Sequence, residues 1–325
     1  MNIINNNDGL SIIVPFLNEE EGILQFCEAI DKHSITLDFP IELVFVNDGS
    51  TDTTVEKLKT YCFSNIKNVK LVDLSKNYGS HAAIRAGVLI SSFSNCTWMG
   101  SDLQEPIEFL ALSYQKLREG YDAVYVEKKS VKVSSMNRGF SKVYSHLMQK
   151  YAVKSYSSGG ISVIVFNHKI KELLNANIES NSSIMLQIMD AGFKYATISL
   201  DFNERSAGVS KWTLSKKIKL FIDSFVAFSF MPIRLVSMIG IIIFFIGILI
   251  GIFTIINKFI NPSVPIGYST LASIMALGFG VTNISLGIIA EYLWRAYDAA
   301  RKRPVFIVSE VVDLSNSEVD VKNDK

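Results

Sequence analysis

A short stretch from Trp98 to Pro106 carries the residue types best suited to hold a divalent cation. Asp102 and Gln104 lie two residues apart in it, a spacing that points both side chains to one side of an extended segment. Carboxylate and amide oxygens are hard ligands, so these residues could share one Mg²⁺ or Mn²⁺ whose open positions take phosphate oxygens. Glu105 and Glu108 are interpreted instead as acids that interact with the dipole of the following helix. We therefore predict a metal site on Asp102 and Gln104.

Three more polar loops each follow an apolar run of strand length. Ligands of parallel α/β sheets bind beyond the carboxyl ends of the strands, so four such loops predict one site at that edge. No G-x-G-x-x-G follows the first strand and no G-x-x-x-x-G-K-[ST] occurs, which argues against a Rossmann dehydrogenase and a P-loop NTPase. The three loops read Asn18-Glu19-Glu20, Asn47-Asp48-Gly49-Ser50-Thr51-Asp52 and Lys76-Asn77-Tyr78-Gly79.

The elements that must position these loops alternate between short apolar runs and helical stretches over residues 10–126. This alternation predicts an α/β fold with right-handed βαβ units and a mostly parallel sheet flanked by helices. The predicted strands are Leu10–Val14, Ile41–Val46, Val69–Leu74, Cys96–Met99 and Ala123–Val126, and the predicted helices are 19–32, 52–62, 80–93 and 106–118. Further along, helices are predicted at Ser134–Tyr151 and Ser182–Ala191, and strands at Ile161–Phe166 and Tyr195–Asp201.

Composition narrows the class of protein. The 325 residues carry a net charge of +1, which gives no indication of a nucleic-acid partner. Cys27, Cys62 and Cys96 are odd in number and lack C-x-x-C spacing, which argues against a disulfide framework or a structural zinc site and indicates a reducing cytosol. The first nine residues contain neither a basic region nor an apolar run, so no signal peptide is predicted.

The excess of apolar residues is concentrated after residue 212. Residues 213–230 predict an amphipathic helix that lies in the lipid interface, with phenylalanines on one side and lysines on the other. Two uncharged runs follow at about 235–256 and 268–290, and the first, with 22 residues, would span about 33 Å as a helix. A hydrocarbon core is about 30 Å thick, so each run predicts a transmembrane helix.

Basic residues flank both runs, so the positive-inside rule predicts that both flanks are cytoplasmic. The predicted tail has a short edge strand at Pro304–Val308 and is disordered from Ser309 onward. The sequence thus predicts a cytoplasmic domain over 1–212, an interfacial helix over 213–230, a two-helix transmembrane hairpin within 231–294 and a cytoplasmic tail over 295–325.

Five segments of the chain match motifs of one known family. They are Val14-Pro15-Phe16-Leu17-Asn18-Glu19 for V-P-x-x-N-E, Val46-Asn47-Asp48-Gly49-Ser50-Thr51-Asp52 for V-D-D-G-S-T-D, Leu74-Ser75-Lys76-Asn77-Tyr78-Gly79 for L-S-R-N-x-G, Gly100-Ser101-Asp102-Leu103-Gln104-Glu105-Pro106 for D-A-D-L-Q-D-P, and Arg205-Ser206-Ala207-Gly208-Val209-Ser210-Lys211 for an acceptor loop. With these motifs the chain resembles a family 2 glycosyltransferase of the polyprenyl-phosphate type, such as the bacterial undecaprenyl-phosphate glucosyltransferases and dolichyl-phosphate mannose synthase. The resemblance covers roughly residues 10–308, both uncharged runs included.

The chain departs from these motifs at four places. Gly100 replaces the first acid of the D-x-D, and Asn47 replaces one acid of the D-D pair. Leu17 stands where the family usually has tyrosine, and Gly160-Ile161-Ser162 stands where relatives tend to read D-F-R.

The resemblance implies a GT-A-like fold, a nucleotide-sugar donor, with a UDP-sugar favoured, and Mg²⁺ or Mn²⁺ as the cofactor. Asp102 would then be catalytic and would share the metal with Gln104, and the donor would contact Pro15, Asn18, Glu19, Asp48, Gly49, Ser50, Lys76, Asn77 and Gly79. The implied reaction is an inverting transfer to polyprenyl (undecaprenyl) phosphate for the synthesis or modification of cell-surface glycans such as O-antigen. The implied location is the bacterial inner membrane, with both termini cytoplasmic. A homo-oligomer that forms through the C-terminal strand is a further expectation.

A phosphate acceptor needs cations more than it needs a base, because its second pKa of about 6 leaves it mostly dianionic at neutral pH. His81 is interpreted as a helix-surface or packing residue, so no catalytic histidine is predicted. Arg205, also a candidate catalytic residue, and Lys211 are predicted to hold the acceptor phosphate, with Lys128 as a third candidate. Two alternatives stay open: a transferase that extends a glycan directly, and a non-catalytic membrane scaffold with a decayed sugar site.

Overall fold

The computed structural model describes residues 8–129, 161–179, 183–203, 268–301 and 303–315, with scattered positions between 236 and 260. The chain divides into two units, the first comprising Met1–Ile218 with Pro304–Lys325 and the second comprising Lys219–Arg303. The helix predicted at Ser134–Tyr151 and the interfacial helix predicted at 213–230 lie outside the described residues.

The described part of the first unit is built on one sheet of eight strands in the order β7-β5-β6-β4-β1-β2-β3-β8. All strands run in one direction except β6 and β8, which are antiparallel to their neighbours. The mostly parallel sheet predicted from the sequence is confirmed, and its parallel strands end at one common edge. The strands are β1 (Leu10–Phe16), β2 (Ile41–Asn47), β3 (Asn68–Leu74), β4 (Asn95–Trp98), β5 (Ala123–Lys128), β6 (Ile161–Phe166), β7 (Tyr195–Leu200) and β8 (Val308–Asp313).

Six helices belong to the described part of this unit. Helix α3 packs on β1 and β2, and Gly87 permits the close approach, since a Cβ there would meet the side chains of Ile13 and Val46. The helices are α1 (Ile23–Ser34), α2 (Thr54–Thr60), α3 (Ser80–Ile90), α4 (Phe109–Arg118), α5 (His168–Ala176) and α6 (Ile184–Asp190).

Helix α5 is not predicted by the sequence analysis. Its N-cap is Asn167, whose Oδ1 accepts the Lys169 N–H at 3.1 Å. The helix buries Ile170 and Leu174, which form a short apolar stripe among lysines. Ile170, Leu173 and Leu174 have the i, i+3 and i+4 spacing of an amphipathic helix, a signal that the sequence analysis missed.

The central strands are buried along their length. Every residue of β2 is buried, and all of β1 is buried except the half-buried Pro15. Strands covered by helices on both faces read as continuous apolar runs, which is why the sequence predicts them well. Burial of each large aliphatic or aromatic side chain contributes about 1.5–3 kcal/mol to stability.

The C-terminal strand differs from its prediction. An edge strand was expected at Pro304–Val308 and disorder from Ser309, but β8 covers Val308–Asp313 and pairs antiparallel with β3. The N–H of Ser75 donates to Ile307 O at 3.0 Å, and the Leu314 N–H donates to Val69 O at 2.8 Å, so both ends of the strand are fixed. The prediction was wrong because β8 lies at the sheet edge, where polar side chains such as that of Ser309 face solvent.

In the second unit, helix α7 (Tyr268–Ala300) has 33 residues and contains the second run predicted to span a membrane. Described positions of the first run, such as Phe245 and Phe253, are also helical. Over the described positions, no helix combines the length and the apolar character that crossing a membrane requires.

Candidate active site

Reciprocal hydrogen bonds join the loop after β1 to the loop after β2. The Asn18 N–H donates to Ser50 Oγ at 3.0 Å, and the Thr51 N–H donates to Asn18 Oδ1 at 2.8 Å. The Glu19 N–H donates to Thr54 Oγ1 at 3.0 Å. Asn18 has a φ of 51°, in the left-handed region that asparagine tolerates better than most residues. The structure therefore brings the predicted donor-site residues Asn18, Glu19 and Ser50 together.

Asp48 shapes the loop after β3. Its Oδ1 accepts the Tyr78 N–H at 2.7 Å, and its Oδ2 accepts the Gly79 N–H at 2.9 Å. Burial raises the pKa of Asp48 above its usual value, although these two N–H groups oppose the change. Gly49 has a φ of 79°, and a Cβ there would lie 2.9 Å from the Asn77 nitrogen, so the two loops pack closely only with glycine.

Other predicted residues lie at the same edge of the sheet. Pro15 is near the end of β1, opposite Val46. The Lys76 Nζ lies 5.1 Å from the centroid of the Tyr78 ring. Lys128 ends β5, and its Nζ lies 5.8 Å from the centroid of the Phe202 ring. Of the three predicted acceptor-side cations, Lys128 is described, whereas Arg205 and Lys211 lie outside the described residues.

The loop after β4 brings Asp102 and Gln104 together by a turn. The Gln104 Nε2 donates to Asp102 Oδ2 at 2.8 Å. Leu103 between them has a φ of 52°, so the segment is not the extended one from which the pairing was predicted. The two side chains still meet, because the left-handed residue reverses the chain direction locally.

Gly100 leaves room for two carboxylates. A Cβ at this position would lie 2.9 Å from Asp102 Oδ1 and 3.4 Å from Glu105 Oε2, so both oxygens converge on the space that a side chain would fill. The Gly100 N–H also donates to Glu105 Oε2 at 3.3 Å. Glu105 was interpreted as an acid at the start of a helix. The absence of an acid at position 100 is the signal that could have identified Glu105 as a candidate metal ligand.

Burial, with a smaller effect of the nearby Asp102 charge, raises the pKa of Glu105 to about 7, while N–H donors at Glu105 and Gly100 oppose the rise. Two carboxylates this close favour a cation between them. Among the described residues, no three His, Cys, Asp or Glu side chains are grouped to hold a metal ion. Asp102 and Glu105 with the Gln104 amide form a different set of oxygen donors, and this set fits a hard divalent cation.

Asn203 reaches the same loop from the end of β7. Its N–H donates to Gln104 O at 3.0 Å, and its Nδ2 donates to Leu103 O at 3.3 Å. The sequence analysis missed this residue, and no sequence signal indicates a contact between positions so far apart in the chain.

Known proteins resemble this chain over nearly its whole length. A sequence profile of Glycosyl transferase family 2 matches residues 11–175. The uncharacterized glycosyltransferase YkcC of Bacillus subtilis is 30% identical over 94% of this chain and 95% of its own. The undecaprenyl-phosphate 4-deoxy-4-formamido-L-arabinose transferase of Proteus mirabilis is 27% identical over 97% of each chain. Glucosyl-3-phosphoglycerate synthase from Mycobacterium tuberculosis superposes with a TM-score of 0.45 and 18% identity, over 67% of this chain and 77% of that chain. The profile match and the Bacillus relative together show that the chain belongs to glycosyl transferase family 2.

Proposed function

We propose that this protein transfers a sugar from a nucleotide-sugar donor to a polyprenyl phosphate, with inversion at the anomeric carbon, in the synthesis or modification of cell-surface glycans. The observation that carries the proposal is the convergence of the Asp102 and Glu105 carboxylates over Gly100, at the edge where the loops after β1, β2 and β3 also meet. The acceptor class is supported by the Proteus mirabilis relative, which is named an undecaprenyl-phosphate transferase.

The donor side of the site must neutralise a diphosphate leaving group. Mg²⁺ or Mn²⁺ held by Asp102, Gln104 and Glu105 would supply that positive charge. The hydrogen bond between Gln104 and Asp102 keeps the two side chains oriented before the donor arrives. The loops tied together through Asn18 and Asp48 would hold the nucleotide of a UDP-sugar, the donor we favour.

The acceptor side needs positive charge more than it needs a base. A phosphate monoester with a second pKa of about 6 is mostly dianionic at neutral pH and can attack without losing a proton. Burial, with the nearby Arg85 charge, lowers the pKa of His81 at the start of α3, which disfavours the cationic form of this imidazole. We assign Lys128, which ends β5, to the acceptor phosphate, together with Arg205 and Lys211.

A membrane location accounts for the surface of the second unit. Its described positions expose large apolar side chains, including Leu249 at 67%, Phe253 at 68% and Phe279 at 64%. Large contiguous apolar patches are rare on soluble monomers, and these side chains belong to two segments that are rich in apolar residues. We therefore propose that 235–256 and 268–290 form a hairpin in the bacterial inner membrane, that 213–230 lies in the interface, and that the first unit faces the cytoplasm.

The experiment uses the purified full-length protein with undecaprenyl phosphate and a panel of nucleotide sugars. Mass spectrometry of the lipid fraction should show a new species heavier than undecaprenyl phosphate by one sugar residue. A product found on an added glycan instead would indicate direct glycan extension. No transfer to either acceptor from any donor would indicate the non-catalytic scaffold.

A further inference from the structure

Asn203 ties the loop of the proposed metal ligands to the main sheet. Strand β7 ends at Leu200, and Asn203 follows three residues later. From there its backbone N–H and its side-chain amide donate to the consecutive carbonyl oxygens of Gln104 and Leu103, at 3.0 and 3.3 Å. One residue thus fixes two neighbouring peptide groups of the loop.

The loop needs such a contact because its backbone is strained. Leu103 has a φ of 52°, a conformation that a residue with a Cβ adopts only where its surroundings hold it. The strained residue stands between Asp102 and Gln104, whose side chains are paired at 2.8 Å. The conformation of Leu103 therefore sets the geometry in which the two side chains meet.

We propose that Asn203 is a positioning residue for the divalent cation: it holds Leu103 left-handed, so that Asp102 and Gln104 present their oxygens together. This inference rests on the proposed function, because it assumes that the two residues are metal ligands. Residues that orient metal ligands typically change metal affinity about 10–100-fold when they are replaced.

The test is Asn203→Ala in the full-length protein, with Mn²⁺ binding in the presence of UDP followed by the electron paramagnetic resonance signal of free Mn²⁺. The variant keeps its backbone N–H bond to Gln104 and loses the amide bond to Leu103, so Mn²⁺ should bind about tenfold more weakly. The melting temperature should stay close to that of the wild type. The matched control is Asn177→Ala, which removes a similar amide bond to Leu173 O (3.0 Å) from an exposed position at the C-cap of α5, and it should leave Mn²⁺ binding unchanged.

A second variant tests whether Asn203 affects Mn²⁺ binding through the backbone conformation of Leu103. Glycine adopts a positive φ without strain, so a Leu103→Gly protein has less need of Asn203. Asn203→Ala made in that background should weaken Mn²⁺ binding less than about threefold, since such neighbouring changes are not additive. Unchanged Mn²⁺ affinity in the single Asn203→Ala variant would overturn the inference, as would a wild type that binds no Mn²⁺. Loss of the proposed function would appear separately, as a wild type that binds Mn²⁺ but glycosylates no polyprenyl phosphate.

Discussion

Asn47, at the end of β2, donates its side-chain N–H to the Asp73 carboxylate on β3, with Nδ2 and Oδ1 2.9 Å apart. Its own Oδ1 accepts the Ser50 N–H at 2.8 Å, so one amide joins the start of the donor loop to the neighbouring strand. Asn47 is only 7% exposed. At this position the chain has asparagine where the V-D-D-G-S-T-D motif has an acid. The neighbouring strand carries a carboxylate, that of Asp73, which accepts the asparagine N–H.

Asn47→Asp should therefore destabilise the protein. The new carboxylate keeps the bond to Ser50 but directs an oxygen at Asp73, and two carboxylates that share a buried site repel each other. We expect a loss of about 2 kcal/mol at neutral pH. Differential scanning fluorimetry of the full-length protein should then show a melting temperature lower by about 4–8 °C.

The double variant Asn47→Asp with Asp73→Asn serves as the control. It restores a pair of one carboxylate and one amide, but the amide donor now lies on β3 and the carboxylate on β2. The melting temperature should therefore return to within about 2 °C of the wild type. An Asn47→Asp protein as stable as the wild type at neutral pH would contradict this account of the pair.

Much of the fold could be predicted because its signals are local. Strands such as β1 and β2 are buried on both faces, so their apolar runs are continuous and end where the polar loops begin. The convergence of those loops followed from the direction of parallel strands alone. Strand β8 was misplaced because its pairing with β3 is set by backbone hydrogen bonds to a distant segment, and because Ser309 and Glu310 interrupt its valines.

The sequence analysis paired Asp102 with Gln104 but did not predict the geometry of their contact. Asp102 and Gln104 were expected to meet on an extended segment, whereas they meet across the left-handed Leu103. A positive φ in leucine has no sequence signal, because tertiary contacts impose it. Glu105 escaped notice because its carboxylate returns to Gly100, a contact that depends on the turn between them.

Gly49→Ala should destabilise the protein more than Gly120→Ala. Both glycines have positive φ, 79° and 88°, so both substitutions carry the same backbone cost of about 1 kcal/mol. A Cβ at Gly49 would also lie 2.9 Å from Asn77 N and 3.0 Å from Lys76 C, whereas at Gly120 nothing lies within 4 Å. We expect the melting temperature of Gly49→Ala to fall below that of Gly120→Ala by about 4 °C or more, with weaker UDP binding by calorimetry. Equal melting temperatures would show that the two loops can separate without cost.

Glu42 should contribute stability that disappears in acid. Burial alone would raise its pKa, but hydrogen bonds from Ser11 Oγ and the Ser92 N–H and the ammonium of Lys70, 2.9 Å away, lower it below 4.5. A lowered folded-state pKa stabilises the protein above the unfolded value, and this contribution is lost as the pH falls through the folded value. The melting-temperature difference between the wild type and Glu42→Gln should therefore be widest above about pH 5 and narrow below the unfolded value of 4.5. Glu56→Gln, at an exposed position on α2, controls for the loss of a charge. A melting-temperature difference between the wild type and Glu42→Gln that stays constant with pH would contradict this account of Glu42.

Asp102→Ala should abolish sugar transfer. It removes a carboxylate from the proposed cation site, and we expect a loss of about 10³-fold in kcat, equivalent to about 4 kcal/mol in the barrier. Glu105→Gln should cost less, about 10–100-fold, because the amide can still offer an oxygen. The control is Asp38→Ala, which breaks an exposed ion pair with Arg118 at 2.6 Å and should leave kcat near that of the wild type. Full activity of Asp102→Ala in the presence of EDTA would rule out the metal assignment.

The proposed topology predicts which cysteines an impermeant reagent reaches. The connector between the two uncharged runs contains Ser263, and under the proposal it lies outside the cytoplasmic membrane. A Ser263→Cys protein in intact cells should therefore be labelled by a membrane-impermeant maleimide. The native cysteines supply the control: Cys62 is exposed on the first unit, while Cys27 and Cys96 are buried.

Because we propose that the first unit lies in the cytoplasm, Cys62 should react only after the cells are lysed. The comparison uses the wild type, Ser263→Cys, and Ser263→Cys combined with Cys62→Ser, each labelled before and after lysis. The combined variant should be labelled to the same extent in intact cells as in lysate, since its exposed target is already outside. The opposite orientation would be indicated if Cys62 were labelled in intact wild-type cells and Ser263→Cys were labelled only after lysis. The candidate site would then lie away from the cytoplasmic supply of nucleotide sugars.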